Sequence, residues 1–211
     1  MSAPLPTNGL YAVTPTILDH ETLLASVEQA LSSGIALLQY RDKTSQLSKK
    51  LATAIALQQL CQQYDTPLII NDDAQLALDS QAAGVHLGQG DGSVKQARKL
   101  LGQKAIIGVT CHHDLSLALI AQQEGADYVA FGRFFHSQTK PGKPLADVAL
   151  LVKAKIQLDI PIVCIGGIKP SNSAPLINAG ANYLAVIDSL FSTPSISKTS
   201  QEFATLFTHS R

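Results

Sequence analysis

Arg41 and Lys43 stand two positions apart in the stretch QYRDK, alternating with Tyr40 and Asp42. In an extended chain that spacing turns both cations to one side. A forked guanidinium and a compact ammonium on one face suit a polyanion such as diphosphate. The competing reading is a surface ion pair with Asp42 or Asp73. Asp72 and Asp91 each follow an apolar run. Two carboxylates with room for water are the usual protein share of a Mg²⁺ site, where phosphate oxygens complete the shell. Either could equally N-cap the helix that follows it.

Two further stretches carry chemistry. Ile165-Gly166-Gly167-Ile168 ends an apolar run, and glycines there let a phosphate approach backbone N–H groups; a plain turn would look similar. Arg133–Pro144, RFFHSQTKPGKP, places Ser137, Thr139 and Lys140 before a Pro-Gly break. Hydroxyls and an ammonium on a loop fit a phosphate, and a polar surface turn is the alternative. Cys111 beside His112 and His113 lacks an orienting third group for nucleophilic work. The histidines lack zinc-site spacing. Phe134 and Phe135 read as core.

The elements that must position these residues follow from hydrophobic patterning. Eight short apolar runs have the character of parallel strands buried on both faces: 10–15, 36–42, 67–73, 84–89, 105–111, 128–134, 161–167 and 183–188. Amphipathic segments separate them. One face gathers Leu23, Leu24, Val27, Ala30 and Leu31; another gathers Leu47, Leu51, Ala54, Ile55 and Cys61. Gly34, Gly84, Gly125 and Gly180 fall where helices should stop. Eight βα units in 211 residues predict an α/β fold, a (β/α)₈ barrel occupying 1–211 as a single domain. A doubly wound open sheet is the alternative. In a barrel the chemistry gathers at the C-terminal strand ends, where Gln39, Asn71, Asp72, Thr110, Gly167, Ile187 and Asp188 also fall.

Composition narrows the function classes. Apolar residues make up 45% and charged ones 15%, with 16 Lys+Arg against 16 Asp+Glu. A neutral chain without a basic run is poorly suited to nucleic acid. The three widely spaced cysteines form no C-x-x-C, which fits a reducing cytoplasm rather than a disulfide framework. No apolar run approaches membrane-spanning length, and the first residues carry no secretory pattern.

Seven motifs in order, LLQYRDK, LIINDDAQLAL, GVHLGQGD, IIGVTCH, YVAFGRFFHSQTKPG, IPIVCIGGI and LAVIDSLF, resemble thiamine phosphate synthases. The resemblance runs from Leu10 to Phe191. It implies a (β/α)₈ barrel that joins a hydroxymethylpyrimidine diphosphate to a hydroxyethylthiazole phosphate, releasing diphosphate, with Mg²⁺. By motif, Gln39, Arg41, Lys43, Asn71, Thr110 and Lys140 would hold the pyrimidine diphosphate. Asp72 and Asp91 would hold the metal. Ser137, Gln138, Thr139, Gly167, Ile187 and Asp188 would line the thiazole phosphate site. Arg41, Lys43 and Lys140 would activate the leaving group. The resemblance further implies a dissociative step through a pyrimidine cation that the thiazole nitrogen captures.

Three positions depart from that pattern. Thr110 replaces a common Ser, and Ser137 a common Thr; both keep a hydroxyl. Asp188 stands where a Ser usually meets the thiazole phosphate. A carboxylate about 4 Å from a phosphate charge costs roughly 1 kcal/mol per charge pair in water and about 4 at partial burial. The expectation is that Asp188 turns away to cap the next helix while its N–H still donates. The rival readings are a thiazole tautomerase, using His112 or His136, and a silent phosphate-binding regulator. Neither needs the cation pair together with both aspartates. The oligomeric state, a homo-oligomer included, is left open.

Overall fold

Hydrogen bonding runs strand to neighbouring strand from β1 through β8, and β8 pairs with β1 through Gly9↔Tyr183 to Ala12↔Val186. That last pairing closes the barrel and excludes the open doubly wound sheet. In this computed structural model the described residues are 5–16, 18–135 and 145–208. The strands are β1 Gly9–Val13, β2 Leu37–Tyr40, β3 Leu68–Asn71, β4 Gly84–Leu87, β5 Ile106–His112, β6 Tyr128–Gly132, β7 Ile162–Ile165 and β8 Tyr183–Val186. The helices are α1 His20–Ser32, α2 Leu47–Gln63, α3 Ala74–Asp79, α4 Val94–Leu101, α5 Leu115–Gln123, α6 Val148–Gln157, α7 Ala174–Asn178, α8 Asp188–Phe191 and α9 Ile196–Thr208. A 3₁₀ turn, Pro170–Asn172, precedes α7.

Strand alternation divides the core into two shells. Tyr11, Val13, Leu37, Ile69, Tyr128, Ala130, Val163, Tyr183 and Ala185 pack together inside the barrel. Their strand neighbours, such as Ala12, Leu38, Ile70, Val129, Cys164 and Leu184, pack outward under the helices. At the base, the Arg98 guanidinium ties α4 to Asp127 (2.7 Å) and to the Gly125 carbonyl (3.0 Å). Tyr183 OH donates to the Pro6 carbonyl there.

The α1 face is buried through Leu23, Val27, Ala30 and Leu31, as its spacing predicts. The α2 face departs from expectation. It buries Thr53, Ala54, Leu57 and Cys61, while Leu47 and Ile55 are exposed. The buried stripe contains a polar member, Thr53, whose hydroxyl lies 3.1 Å from His20 Nδ1; a purely apolar pattern passes over it. Gly34, Gly125 and Gly180 follow helix ends with positive φ, whereas Gly84 is the first residue of β4 and stops no helix. Among the described residues no helix is long and apolar enough to cross a membrane.

Candidate active site

The first test of the site is whether Asp72 and Asp91 are consumed as helix caps. They are not. Asp73 caps α3, accepting from Leu76 N at 2.9 Å. Ser93 caps α4 in a reciprocal capping box with Gln96. With both caps supplied by other residues, the two carboxylates are left to face one another. Asp72 sits at φ +66, a left-handed conformation uncommon for a non-glycine residue and typical of functional sites. Its N–H donates to the His86 carbonyl at 2.8 Å. Asp91 Oδ2 accepts the Gly88 N–H at 2.9 Å.

The two carboxylates come within hydrogen-bonding reach. Partial burial, the hydrogen bond with Asp72 and its charge together raise the Asp91 carboxyl above its usual value, against the opposing pull of Gly88 and Lys43. A carboxylate whose ionisation is opposed by a second carboxylate beside it gains from a shared cation. Asp72 and Asp91 could therefore hold Mg²⁺ as two hard oxygen donors, with other oxygens needed to complete its shell.

Lys43 Nζ lies 3.3 Å from Asp72 Oδ2. Its partner is thus neither Asp42 nor Asp73, the two candidates for a plain surface pair. Asp42 instead accepts from Thr44 N and Ser45 N at 2.9 and 3.0 Å. Burial pushes the Asp42 carboxyl up, but these bonds and those of the Thr44 and Ser45 hydroxyls outweigh it, holding it well below the usual range. That clasp shapes the turn that presents Lys43. Arg41 N–H donates to Thr14 Oγ1 at 2.9 Å, and its guanidinium donates to Thr16 Oγ1 at 3.3 Å.

Gln39 and Thr110 sit on the inner face. Gln39 is 5% exposed and donates to Tyr11 OH at 2.8 Å. Thr110 Oγ1 lies 2.8 Å from His86 Nε2, and the Thr110 carbonyl accepts from Gln89 Nε2 at 2.5 Å. The β5 pairing shifts register between Thr110 and His112, where His112 takes φ +53. A bulge here ends the strand beside its functional residue, a common use of bulges. Asn71, opposite His86 in the β3–β4 register, ends β3.

On the far side, Gly166 and Gly167 have φ +105 and +65. A Cβ at Gly166 would land on the Arg133 side chain, so close backbone approach dictates the residue. Ile187 packs against the inner shell. The Asp188 expectation is corrected. Ile187 is the N-cap of α8 and Asp188 its first helical residue, so the carboxylate is not drawn off as the cap. The reason is steric sequence order: the chain enters helical geometry one residue too early for Asp188 to cap it.

Ser137, Gln138, Thr139 and Lys140 lie outside the described residues. Cys111 is buried and points into the outer shell, and burial followed by the Asp114 charge pushes its thiol up to about 12. A thiolate nucleophile is thereby disfavoured. Phe134 and Phe135 pack in the outer core.

The sequence reading gave His86 no role and passed over Tyr11, Tyr128, Thr14 and Thr16. The available signal was parity: His86 shares the inward-facing strand positions of Gln39, Asn71 and Thr110.

Residues 10–190 match the family model described as thiamine monophosphate synthase. A thiamine-phosphate synthase from Marinobacter nauticus is 55% identical over 184 residues, 87% of this chain and 82% of that protein. One from Thiobacillus denitrificans is 48% identical over 199 residues, 94% of each. The solved thiamine phosphate pyrophosphorylase from Pyrococcus furiosus superposes with a TM-score of 0.85 at 27% identity, covering 97% of both chains.

Proposed function

The chain belongs to the thiamine monophosphate synthase family, and on that premise we propose how the residues of its barrel mouth carry the reaction. The chain is a transferase that condenses a pyrimidine and a thiazole moiety in thiamine biosynthesis. Its two substrates are phosphorylated. The finer reading is that the pyrimidine enters as its diphosphate, and the thiazole as its phosphate. The observation that supports this most is the grouping of Lys43, Asp72 and Asp91 at one rim, with both neighbouring helix caps supplied by other residues.

The bond that breaks joins the pyrimidine methylene carbon to the bridging oxygen, and its electron pair leaves with diphosphate. The ring's amino group feeds electrons to the carbon, giving a pyrimidine cation. The thiazole nitrogen then donates its lone pair and forms the new C–N bond. No protein nucleophile enters that balance, in keeping with the buried, outward-facing Cys111.

The chain's own work is to hold charge and geometry. Arg41, Lys43 and Lys140 bind the diphosphate and offset the charge that grows on it. Gln39, Asn71 and Thr110 orient the pyrimidine. Ser137, Gln138, Thr139, the Gly167 backbone, Ile187 and the Asp188 backbone surround the thiazole phosphate. Mg²⁺ held by Asp72 and Asp91 would supply further neutralisation of the leaving diphosphate. Fixing both partners in line removes much of the entropic barrier.

The test is diphosphate release and thiamine phosphate formation with both substrates, each alone, and with Mg²⁺ withheld. Product only when both substrates and Mg²⁺ are present supports the reading. Proton exchange on a thiazole alone, or phosphate binding without turnover, would replace it with the tautomerase or the regulator.

A further inference from the structure

A continuous hydrogen-bonded chain crosses the barrel interior beneath the mouth and joins five strands. Gln39 Nε2 on β2 donates to Tyr11 OH on β1 at 2.8 Å. Tyr11 OH lies 2.8 Å from Tyr128 OH on β6. Tyr128 OH lies 3.0 Å from His86 Nδ1 on β4, and His86 Nε2 lies 2.8 Å from Thr110 Oγ1 on β5. Tyr11 and Tyr128 are 1% and 0% exposed, and His86 7%. The rings also lock one another. Tyr128 stacks on His86 with centroids 5.6 Å apart at 17°, and meets Tyr11 edge-on at 5.9 Å. An added Cβ at Gly108 would fall on the Tyr128 ring, so the absent side chain on β5 makes room for the phenol. A buried polar chain of this length is retained inside an otherwise apolar shell, where each link must be satisfied.

Proton counting gives the chain a direction. Burial raises the Tyr11 phenol, outweighing its hydrogen bonds to Tyr128 and Gln39, and burial likewise raises Tyr128. Both phenols therefore stay neutral with one proton each. The Gln39 N–H occupies Tyr11 oxygen, so Tyr11 gives its proton to Tyr128. Tyr128 in turn gives its proton to His86 Nδ1. An imidazole that accepts at Nδ1 carries its hydrogen on Nε2, where it faces Thr110 Oγ1 as a donor. Thr110 keeps its own proton to offer at the mouth, and Gln39 keeps its carbonyl oxygen.

We propose that His86, Tyr11 and Tyr128 are positioning residues: their chain fixes His86 as the Nε2–H tautomer and makes Gln39 an acceptor and Thr110 a donor toward the pyrimidine. This deepens the proposed function and rests on it for the identity of the ligand. An acceptor and a donor held at set positions fit an aminopyrimidine, whose exocyclic amino group donates and whose ring nitrogens accept. Reversing the chain would invert both ends together. Thr110 would become an acceptor and Gln39 would present N–H groups, a mismatch at two contacts at once. The same His86 accepts the Asp72 N–H through its carbonyl at 2.8 Å, so the anchor of the chain borders the carboxylate patch.

The experiment has two readouts. Long-range ¹⁵N–¹H spectra of the free, ¹⁵N-labelled protein, with His86 assigned by its loss in His86→Gln, should show the Nε2–H tautomer. An Nδ1–H tautomer or an imidazolium at neutral pH overturns the proposal, whatever the protein's activity. Tyr128→Phe keeps the ring and removes the link. It should displace the His86 signals and lower kcat/KM for the pyrimidine diphosphate about tenfold or more, with the KM for the thiazole phosphate unchanged. Unaltered kcat/KM, or an equal loss for both substrates, also overturns it. Absence of synthase activity in the unsubstituted protein would instead count against the proposed function, while the tautomer still judges the chain.

Discussion

Lys43 Nζ lies 3.3 Å from Asp72 Oδ2, so a cation expected to hold diphosphate and a carboxylate expected to hold metal meet in one patch. The pair is solvated, with side-chain exposures of 57% and 30%. Exposed pairs contribute about 0–1 kcal/mol. A multiply charged substrate can therefore draw the ammonium away at little cost. Lys43→Ala should leave the melting temperature almost unchanged while lowering kcat/KM for the pyrimidine diphosphate about 100-fold, the scale of losing one preorganised electrostatic contact. Thermal melts and initial rates on the same preparation check this. A large drop in melting temperature with intact turnover would make Lys43 structural.

Asp91 gives a pH-dependent prediction of opposite sign for stability and activity. Burial and Asp72 raise its folded-state pKa. Such a group favours the fold below its unfolded value, about 3.9, and loses that contribution as pH rises through the folded value. Without divalent metal, Asp91→Asn should therefore gain stability over the unsubstituted protein as pH rises from about 4 to about 7. Its turnover should fall about 100-fold or more. Mg²⁺ should raise the melting temperature of the unsubstituted protein and leave Asp91→Asn unmoved, and chelation should abolish product formation. Melting curves across pH, with and without Mg²⁺, decide it.

Asp42 has the reverse linkage. Its clasp on Thr44 and Ser45 holds the folded pKa below the unfolded one despite burial. Its contribution is present above about pH 4 and is lost as pH falls through the folded value. Asp42→Ala should cost about 1 kcal/mol at neutral pH, the usual net worth of a hydrogen-bonded contact of this kind. The deficit should shrink in acid. Denaturant titrations at neutral and acid pH would show it, and a pH-independent deficit would contradict it.

What was legible in the sequence was whatever shows as a short continuous apolar run, the mark of a strand covered on both faces. The eight apolar runs marked all eight strands, and Gln39, Asn71 and Thr110 could be placed at the mouth because each falls at the C-terminal end of one of those runs. What was not legible depends on contacts between distant strands. Tyr11 and Tyr128 are 117 positions apart, and nothing local in either stretch announces that their hydroxyls meet. Capping was ambiguous for a different reason. Asp72 and Asp73 are adjacent, and the left-handed backbone at Asp72 decides which one caps. On α2 the apolar pattern placed Ala54 and Cys61 correctly but favoured Leu47 and Ile55, whereas the stripe that packs also runs through Thr53 and Leu57.

The Gly166 backbone offers a steric test. With φ +105 and the Arg133 side chain where a Cβ would go, Gly166→Ala incurs a left-handed penalty of about 1–2 kcal/mol as well as the clash. The variant should melt well below the parent. It should also raise the KM for the thiazole phosphate more than that for the pyrimidine diphosphate, because the β7 turn and not the Lys43 rim is displaced. Equal effects on both constants would mean a general loss of fold.

Asp188 gives the sharpest question about substrate fit. Since Ile187 is the cap of α8 and Asp188 is its first residue, the carboxylate sits on the residue whose backbone N–H is proposed for the thiazole phosphate. A substrate phosphate bound at that N–H would stand close to the carboxylate's charge. Repulsion between roughly 1 kcal/mol in water and about 4 at partial burial is the cost. Asp188→Ser removes the charge and keeps a short polar side chain. The expected result is a KM for the thiazole phosphate lowered about tenfold, which corresponds to about 1.4 kcal/mol, with the KM for the pyrimidine diphosphate unchanged. Raising ionic strength should narrow the gap between the two proteins, because screening weakens the repulsion only where the carboxylate stands near the phosphate. An unchanged thiazole KM would place the carboxylate away from the phosphate and leave the Asp188 backbone N–H as its contribution.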